Sequence, residues 1–225
     1  MKACIIIPTY NESETIGWLI GRIKGLNLNL PVIVIDDGSG DDTSGIAEKS
    51  GAVVIRNENN EGKGASLIKG FAYALQNNFD AVIAMDGDGQ HLAEEIPSFL
   101  RAAGSSDSKI FIGDRMQTVK DMPFVRLFTN KFMSWLISVI AKQKINDSQC
   151  GFRLIKREAL EKINLSTDKY EIESELLIKG AKAGFKIESV PIKTVYGKEK
   201  SRINPVLDTL RFIAFIIREI WTTKP

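Results

Sequence analysis

Cysteine is scarce in this chain, and long apolar runs are missing. The two cysteines, Cys4 and Cys150, are too few for a disulfide framework, and neither belongs to a CxxC pair of the kind that holds zinc. No apolar run approaches the ~20 residues that a membrane-spanning helix requires, and the apolar stretch near the N-terminus is too short for a signal peptide. We therefore expect a cytoplasmic protein, because unpaired cysteines are typical of reducing compartments.

An excess of charge of one sign is missing too. The 225 residues include 30 Lys and Arg and 28 Asp and Glu, which gives a formal net charge of +2. A nearly neutral chain has no overall electrostatic attraction for nucleic acid, so we expect no nucleic-acid partner. The length is enough for one α/β domain with a full core, or for two small domains at most.

Glycine-rich phosphate loops are the third absence. No GxGxxG follows the first apolar segment, which excludes the usual dinucleotide-binding site. The run Gly62-Lys63-Gly64 lacks the spacing of a Walker loop. If this chain binds phosphates, we expect a metal ion and side chains to hold them.

The first half of the chain alternates short apolar segments with helical patterns. The predicted strands cover residues 3–7, 32–35, 52–55 and 81–85, and the predicted helices lie at about 13–24, 42–50 and 62–76. Strands with helices between them require a mostly parallel sheet with right-handed crossovers. The predicted fold class is α/β, a Rossmann-like arrangement in which helices flank a mostly parallel central sheet.

Polar clusters follow three of these strands. Residues 8–12 read PTYNE, residues 36–39 read DDGS, and residues 86–91 read DGDGQH. The carboxyl ends of parallel strands lie along one edge of a sheet, where ligands bind in open α/β folds. We expect the three clusters to meet at that edge.

The cluster after the fourth strand carries the strongest chemical signal. Asp86 and Asp88 are two residues apart, so both carboxylates point the same way if the chain stays extended. Such a pair suits Mg²⁺ or Mn²⁺ carrying the phosphates of a substrate, with Gln90 or His91 as a further ligand. The alternative is a plain acidic turn that contains glycine.

These motifs, in this order, resemble a known family. PTYNE, DDGS, NEGKG at residues 60–64, and DGDGQH are similar to motifs of the inverting glycosyltransferases of family two, which have the GT-A fold. DSQCGFR at residues 147–153 and the stretch 171–177 resemble the polyprenyl-phosphate sugar synthases within that family. The likeness covers about residues 3–203. It implies transfer of a hexose from a nucleotide sugar to a dolichyl or polyprenyl phosphate, with Mg²⁺ or Mn²⁺ as cofactor.

The resemblance also implies roles for individual residues. The metal ligands would be Asp86, Asp88 and Gln90. The nucleotide-sugar pocket would be formed by Pro8, Tyr10, Glu12, Asp36, Asp37, Lys63, Asp86, Gln149, Lys200 and Arg202. The catalytic group would consist of Asp86, Asp88, Asp147, Arg115, Arg126 and Arg153.

The three arginines of this group fit a phosphate acceptor. A phosphate monoester has a second pKa near ~6, so its attacking oxygen is ionised near neutral pH and requires little help from a base. It requires positioning by cations instead, and the planar guanidinium group suits a phosphate. A sugar hydroxyl as acceptor would require a base, for which Asp147 is the candidate.

Two helical stretches bear on membranes. Residues 123–142 combine a slanting polar line with a wide apolar sector, which fits burial against the sheet or partial contact with lipid. Residues 204–221 are amphipathic, and residues 193–225 carry seven basic and three acidic side chains. We divide the chain into a catalytic domain, 1–203, and a C-terminal helix, 204–225. This helix either lies peripherally on a membrane or packs on the domain or in a homodimer.

Two other classes of protein compete with this interpretation. One is a glycosyltransferase that acts on a sugar or lipid hydroxyl. The second is a nucleotide-sugar-binding module without catalysis, or a nucleotidyltransferase-like protein, although the latter should carry a glycine- and arginine-rich loop where residues 8–12 stand. We expect GDP-mannose as the first choice of donor and UDP-glucose as the second. We also expect peripheral attachment to the cytoplasmic face of a membrane, directly, as a homo-oligomer, or through a membrane partner protein.

Overall fold

One mixed sheet of seven strands forms the centre of the fold. The computed structural model describes residues 1–116, 124–193 and 205–221, without the side chains of 124–126, 205–210, 220 and 221. The strands are β1 Ala3–Thr9, β2 Val32–Asp36, β3 Val53–Arg56, β4 Ala81–Ala84, β5 Ile110–Asp114, β6 Arg153–Lys156 and β7 Ile187–Pro191. Their order is β3-β2-β1-β4-β6-β5-β7, and the neighbours are parallel except where β6 pairs with β4 and β5. This confirms the predicted α/β class.

Helices connect the strands. They are α1 Ile16–Gly25, α2 Thr43–Lys49, α3 Lys63–Gln76, α4 Ile96–Ser105, α5 Phe124–Ala141, α6 Arg157–Lys162, α7 Ile172–Lys182 and α8 Pro205–Trp221, and a 3₁₀ turn at Ala93–Glu95 precedes α4. The α1 helix begins three residues later than predicted. The backbone N–H of Ser13 donates to Asp41 at 3.2 Å, so the segment before α1 is held as a loop against the start of α2.

The central strands follow from their apolar sequence. Residues of β1, β2 and β4 are almost all buried, as expected for parallel strands covered by helices on both faces. The edge strand β3 is only partly buried. Parallel pairing of β1 with β2 and β4 brings the carboxyl ends of these strands to one edge of the sheet.

Strand β6 runs against its neighbours, and the sequence pattern did not predict it. Arg153 pairs with Ala84 of β4 and with Ile112 of β5, so β6 starts at the edge where those two strands end. Residues 150–152 therefore enter the sheet beside the tip of β4. This placement joins the motif at 147–153 to the motif at 86–91.

Both cysteines are core residues. Cys4 in β1 and Cys150 before β6 are buried free thiols. Burial raises the pKa of each thiol to about 12, although a cation, Lys2 for Cys4 and Arg115 for Cys150, acts to lower it. Such thiols are unreactive packing groups.

The last helix packs on its own domain with one face. Phe215 and Ile216 are buried, and Lys182 Nζ in α7 donates to the carboxylate of Glu219 at 2.7 Å. Ile213 and Ile217 lie on the opposite, exposed face. Among the described residues, no helix combines the length and the apolar character that crossing a bilayer requires. The division of the chain at residue 204 stays a prediction.

A buried carboxylate fixes the loop that precedes α7. Glu175 accepts hydrogen bonds from the backbone N–H and the hydroxyl of both Ser166 and Thr167, at 2.7 to 3.1 Å, and it pairs with Lys179 at 2.6 Å. Burial alone would raise the pKa of Glu175, but the hydrogen bonds from Lys179 and Thr167 outweigh it and lower the pKa to about 2. The carboxylate is therefore ionised in the folded protein.

We predict that Glu175→Gln lowers the free energy of unfolding by about 2 kcal/mol at pH 7, because hydrogen bonds to a charged acceptor are lost. A carboxyl group with a lowered pKa in the folded state stabilises the fold above its ordinary pKa, 4.5, and this contribution disappears as pH falls toward about 2. The difference between wild type and variant in urea unfolding should therefore shrink between pH 4.5 and 2. Glu161→Gln, which alters an exposed helical ion pair, is the control and should cost less than about 0.5 kcal/mol.

Candidate active site

Hydrogen bonds join the loops that follow β1 and β2. The backbone N–H of Asn11 donates to Ser39 Oγ at 2.8 Å, and the N–H of Gly40 donates to Asn11 Oδ1 at 2.7 Å. The N–H of Glu12 donates to Thr43 Oγ1 at 2.8 Å. The PTYNE and DDGS motifs therefore form one continuous rim at the carboxyl edge of the sheet.

The two aspartates after β2 hold neighbouring loops. Asp36 accepts hydrogen bonds from the backbone and hydroxyl of Ser39 and from the hydroxyl of Ser44, which closes the turn after the strand. Asp37 accepts three hydrogen bonds of 2.8 to 2.9 Å from segment 57–62. Both were predicted as pocket residues. In this structure each carboxylate is engaged by neighbouring loops, and the pocket role of both stays a prediction.

The tip of β4 presents the paired carboxylates. Asp86 and Asp88 are both partly exposed, as is Gln90, whose N–H donates to Asp88 Oδ1 at 3.0 Å. Thr15 Oγ1, just before α1, donates to the carbonyl of Gly87 at 2.8 Å. The turn that carries the carboxylates is thus attached to the loop after β1.

A lysine from another motif reaches this tip. Lys63, the first residue of α3, places its Nζ 2.5 Å from Asp86 Oδ1 and 2.6 Å from Glu173 Oε1 in α7. Burial would raise the pKa of the Asp86 carboxyl, but the Lys63 ammonium outweighs it and holds the pKa well below its usual range. Burial would likewise lower the pKa of Lys63, and the two carboxylates raise it instead. Lys63 and Asp86 are therefore both charged.

His91 holds the turn after β4 from the buried side. It is buried against Phe152, with ring centroids 5.2 Å apart, and its Nδ1 accepts the backbone N–H of Asp86 at 3.3 Å. Burial lowers the pKa of His91 to about 4, although Asp86 acts to raise it. The ring is neutral, and its Nδ1 is engaged by the backbone. This geometry favours a structural role for His91 over the role of metal ligand that the sequence analysis considered.

Arg115 and Asp147 form a buried ion pair. Arg115 Nε and Nη2 donate to the two Asp147 oxygens at 2.6 and 2.8 Å, and the Arg115 backbone N–H adds a contact of 3.2 Å. Asp147 is fully buried. The sequence suggested Asp147 as a base for a hydroxyl acceptor and Arg115 as a phosphate ligand. In the structure the two side chains bind each other.

Arg153 is bound within the protein. Its guanidinium group is buried and donates to the backbone carbonyls of Ser148, Cys150 and Glu173 at 2.5 to 2.9 Å. These contacts fix the turn before β6 and the start of α7. A guanidinium held by three carbonyls has a structural role in this fold, and the phosphate-binding role given to Arg153 stays a prediction.

The remaining predicted residues fall into two groups. Pro8 lies at the end of β1, and Tyr10 and Glu12 follow it on the rim, with Tyr10 exposed. Gln149 Nε2 donates to Ser148 Oγ at 3.2 Å. Lys200, Arg202 and the side chain of Arg126 lie outside the described residues.

Comparison with known proteins assigns this arrangement to a family. The model of Glycosyl transferase family 2 matches residues 4–164, well over half of the chain. The chain belongs to glycosyl transferase family 2. The carboxyl-edge site therefore lies in a glycosyltransferase fold.

Individual relatives match this family 2 glycosyltransferase over most of its length. Polyprenol monophosphomannose synthase from Mycolicibacterium smegmatis is 30% identical over 203 residues, which is 85% of this chain and 76% of that protein. UDP-N-acetylglucosamine--dolichyl-phosphate N-acetylglucosaminyltransferase from Methanococcus voltae is 28% identical over 214 residues, 85% of each chain. The solved structure of glucosyl-3-phosphoglycerate synthase from Mycobacterium tuberculosis, with Mn²⁺ and UDP, covers 97% of this chain and 79% of that one at 21% identity and a TM-score of 0.73. The shared fold is GT-A.

The tip of β4 in this glycosyltransferase fits a divalent cation. Asp86 and Asp88 offer ionised or ionisable oxygen donors and Gln90 an amide oxygen, which suit Mg²⁺ or Mn²⁺. The Lys63 ammonium at Asp86 Oδ1 occupies a place where a cation is stabilised. In the described ranges no cluster of three His, Cys, Asp or Glu could hold a metal alone. Mg²⁺ sites in enzymes commonly use one or two carboxylates and take further oxygens from substrate phosphates.

Sequence reasoning missed two members of the site. Glu173 lies 110 residues from its partner Lys63, and its sequence signals were its place in the stretch 171–177 and in the first turn of a helix, neither of which gave it a role. Gly151 lies beside the Asp86 carboxylate: a Cβ at this position would stand 2.6 Å from Asp86 Oδ2. The glycine is required by this close approach.

We predict that Gly151→Ala weakens Mn²⁺ binding about tenfold, or ~1.4 kcal/mol, because the added methyl group displaces the Asp86 carboxylate. Titration of the protein with Mn²⁺, followed by the electron paramagnetic resonance signal of the free ion, measures this. Gly104→Ala in α4 is the matched control, since a Cβ there meets no atom within 4 Å. Equal Mn²⁺ affinity in both variants would remove Asp86 from the set of metal ligands.

Proposed function

We propose that this glycosyltransferase moves a hexose from a nucleotide sugar to a dolichyl or polyprenyl phosphate, with inversion of the anomeric carbon and with Mg²⁺ or Mn²⁺ as cofactor. The observation that carries the proposal is the Asp86 carboxylate, paired with the Lys63 ammonium and with Asp88 beside it, at the edge where the loops after β1, β2 and β4 meet. Two relatives named as polyprenol and dolichyl phosphate sugar transferases support the acceptor class.

The residues of the site divide the work of such a transfer. A bound divalent cation would stabilise the negative charge that develops on the leaving nucleoside diphosphate. Asp86 and Asp88 would hold that cation, with Gln90 beside them. Lys63 would supply a further positive charge near the diphosphate. Segment 57–62, fixed by Asp37, would form the side of the pocket that faces the nucleotide.

The state of Asp147 favours a phosphate acceptor over a hydroxyl acceptor. A hydroxyl nucleophile needs a base, and both oxygens of Asp147 are bound to Arg115 in a buried pair. A base held in this way would have to break two short charge-assisted hydrogen bonds before it could take a proton. A lipid phosphate enters already ionised and needs no such base.

The donor sugar is proposed from the relatives, with mannose from GDP-mannose first. A relative named as a monophosphomannose synthase is 30% identical. UDP-glucose is the second candidate. UDP-N-acetylglucosamine also enters the comparison, because a relative named for that donor matches the chain at 28% identity.

We predict that purified protein with Mg²⁺ and a polyprenyl phosphate transfers label from one of GDP-mannose, UDP-glucose or UDP-N-acetylglucosamine to the lipid, measured by extraction of labelled lipid. Asp88→Asn should reduce the rate of transfer at least ~100-fold, because removal of one group that stabilises transition-state charge typically lowers the rate by that factor. Asp107→Asn, an exposed carboxylate remote from the site in the loop before β5, is the matched control and should keep full activity. Transfer to a sugar hydroxyl, with none to the lipid phosphate, would overturn the acceptor class.

An exposed apolar strip on α5 supports attachment to a membrane. Phe128, Phe132, Trp135 and Val139 are 68, 53, 60 and 58% exposed and recur at helical spacing, while Ser134 and Ile137 on the other side are buried. Contiguous exposed aromatic side chains on an amphipathic helix are typical of surfaces that enter the headgroup region. The proposed acceptor is a membrane lipid, so we place this strip against the bilayer on the cytoplasmic face.

We predict that Phe132→Ser with Trp135→Ser lowers the bound fraction in flotation with phosphatidylcholine and phosphatidylglycerol vesicles, at least ~10-fold in partition coefficient. Burying each aromatic side chain contributes about 1.5 to 3 kcal/mol, and a factor of ten is ~1.4 kcal/mol. Trp18→Ser on α1 is the control, because Trp18 is equally exposed but lies off the strip. Unchanged flotation of the double variant would place the membrane contact elsewhere.

A further inference from the structure

Lys63 stands between two carboxylates, and one of them is a proposed metal ligand. Its Nζ lies 2.5 Å from Asp86 Oδ1 and 2.6 Å from Glu173 Oε1, and the three side chains are only 18, 27 and 12% exposed. We propose that Lys63 exchanges partners: its ammonium bridges Asp86 and Glu173 while no divalent cation is bound, and it leaves Asp86, keeping Glu173 and gaining the donor diphosphate, when the cation binds. The inference rests on the metal site of the proposed function.

Charge and distance favour the exchange. A divalent cation coordinated by Asp86 Oδ1 would lie about 2.0 to 2.2 Å from that oxygen, and an ammonium group 2.5 Å from the same oxygen would face it as a like charge. The lysine side chain has four flexible carbon–carbon bonds, so it can move without a change in the backbone. The cation and the ammonium therefore compete for one carboxylate oxygen.

Glu173 makes the departure of Lys63 possible. A buried ammonium without a partner is strongly disfavoured, and Glu173 keeps Lys63 paired when Asp86 turns to the cation. Glu173 lies in the first turn of α7, where the helix dipole stabilises a carboxylate. The Glu173 carboxylate is thus the second ion-pair partner of the Lys63 ammonium.

The two helix starts that carry Lys63 and Glu173 are locked together. The N–H groups of Gly64 and Ala65 in α3 donate to the carbonyl of Asp168, at 2.9 and 3.2 Å, in the loop before α7. A Cβ on Gly64 would stand 2.3 Å from the Thr167 carbonyl, so only glycine permits this approach. These backbone contacts hold the starts of α3 and α7 side by side, which keeps Glu173 within reach of Lys63.

The test is a set of Mn²⁺ titrations of the full chain, read by the resonance signal of free Mn²⁺, first with Mn²⁺ alone and then with GDP or UDP present. Lys63→Met should bind Mn²⁺ alone about tenfold more tightly, because a competitor is removed. With the nucleotide it should bind the Mn²⁺ complex about tenfold more weakly, because the charge on the diphosphate is lost. A fixed charge between Asp86 and the diphosphate would give shifts of the same signs, so the Glu173 variant below decides between exchange and a fixed charge.

Glu173→Gln is the second variant for the Mn²⁺ titrations. With only Asp86 left as a partner, Lys63 should hold it more firmly, so Mn²⁺ alone should bind several-fold more weakly. The same change in the Lys63→Met background should have little effect, whereas a simple field effect of Glu173 would persist in both backgrounds. Lys109→Met and Glu158→Gln, which break an ion pair of 2.8 Å at the opposite edge of the sheet, are the matched controls and should leave both affinities unchanged.

The outcomes separate the two proposals. If wild type binds Mn²⁺ and Lys63→Met shifts both affinities together or neither, the exchange is wrong and the metal site stands. If Glu173→Gln acts equally in both backgrounds, Glu173 is not the second partner. If wild type binds no Mn²⁺ with or without nucleotide, the metal site of the proposed function fails, and the exchange fails with it.

Discussion

Buried carboxylates that accept hydrogen bonds from loop backbones hold this site in shape. Asp37 fixes segment 57–62, and Glu175 fixes the loop at 166–167. Each of these bonds has a charged acceptor, and such bonds contribute about 1.5 to 3 kcal/mol. Because both loops are fixed in this way, the helices that follow them start at defined places. Lys63 and Glu173 stand at those starts, and they reach the tip of β4 for that reason.

The acidic residues at the strand ends therefore divide into buried carboxylates that hold loops and partly exposed carboxylates at the tip of β4. The sequence does not distinguish the two groups. Asp36, Asp37 and Asp147 are buried and engaged within the protein, whereas Asp86 and Asp88 are partly exposed. The difference depends on what surrounds each carboxylate: buried loop segments and an arginine in the first set, and a partly open strand tip with Lys63 beside Asp86 in the second. Among the described strands, the tip of β4 is therefore where we propose that carboxylates receive the ligand.

Much of the fold could be predicted because its pattern is local. The strands β1, β2 and β4 are short apolar runs that end in polar residues, and parallel pairing is the usual solution when helices lie between them. The direction of β6 could not be predicted, since it depends on the gap between β4 and β5 and not on its own four residues. The carboxylate pair at 86 and 88 could be predicted as a candidate metal site, because two aspartates two residues apart directly follow an apolar strand.

The roles of single charged residues were harder to predict for a different reason. Arg153 and Arg115 carry the same chemistry in sequence as any phosphate-binding arginine, and only their surroundings show carbonyls around the first and Asp147 around the second. Glu173 gave no signal that pointed to Lys63, because their contact joins segments 110 residues apart. Pairings of this kind depend on the tertiary structure.

The two sealed thiols have a practical consequence for spectroscopy. Cys4 and Cys150 are completely inaccessible, and their pKa values of about 12 leave almost no thiolate at neutral pH. A cysteine introduced at an outer position would therefore react alone with a maleimide or methanethiosulfonate reagent, without prior removal of the native pair. The distance between a spin label attached in this way and a bound Mn²⁺ ion could then be measured by electron paramagnetic resonance, because the native thiols would carry no label.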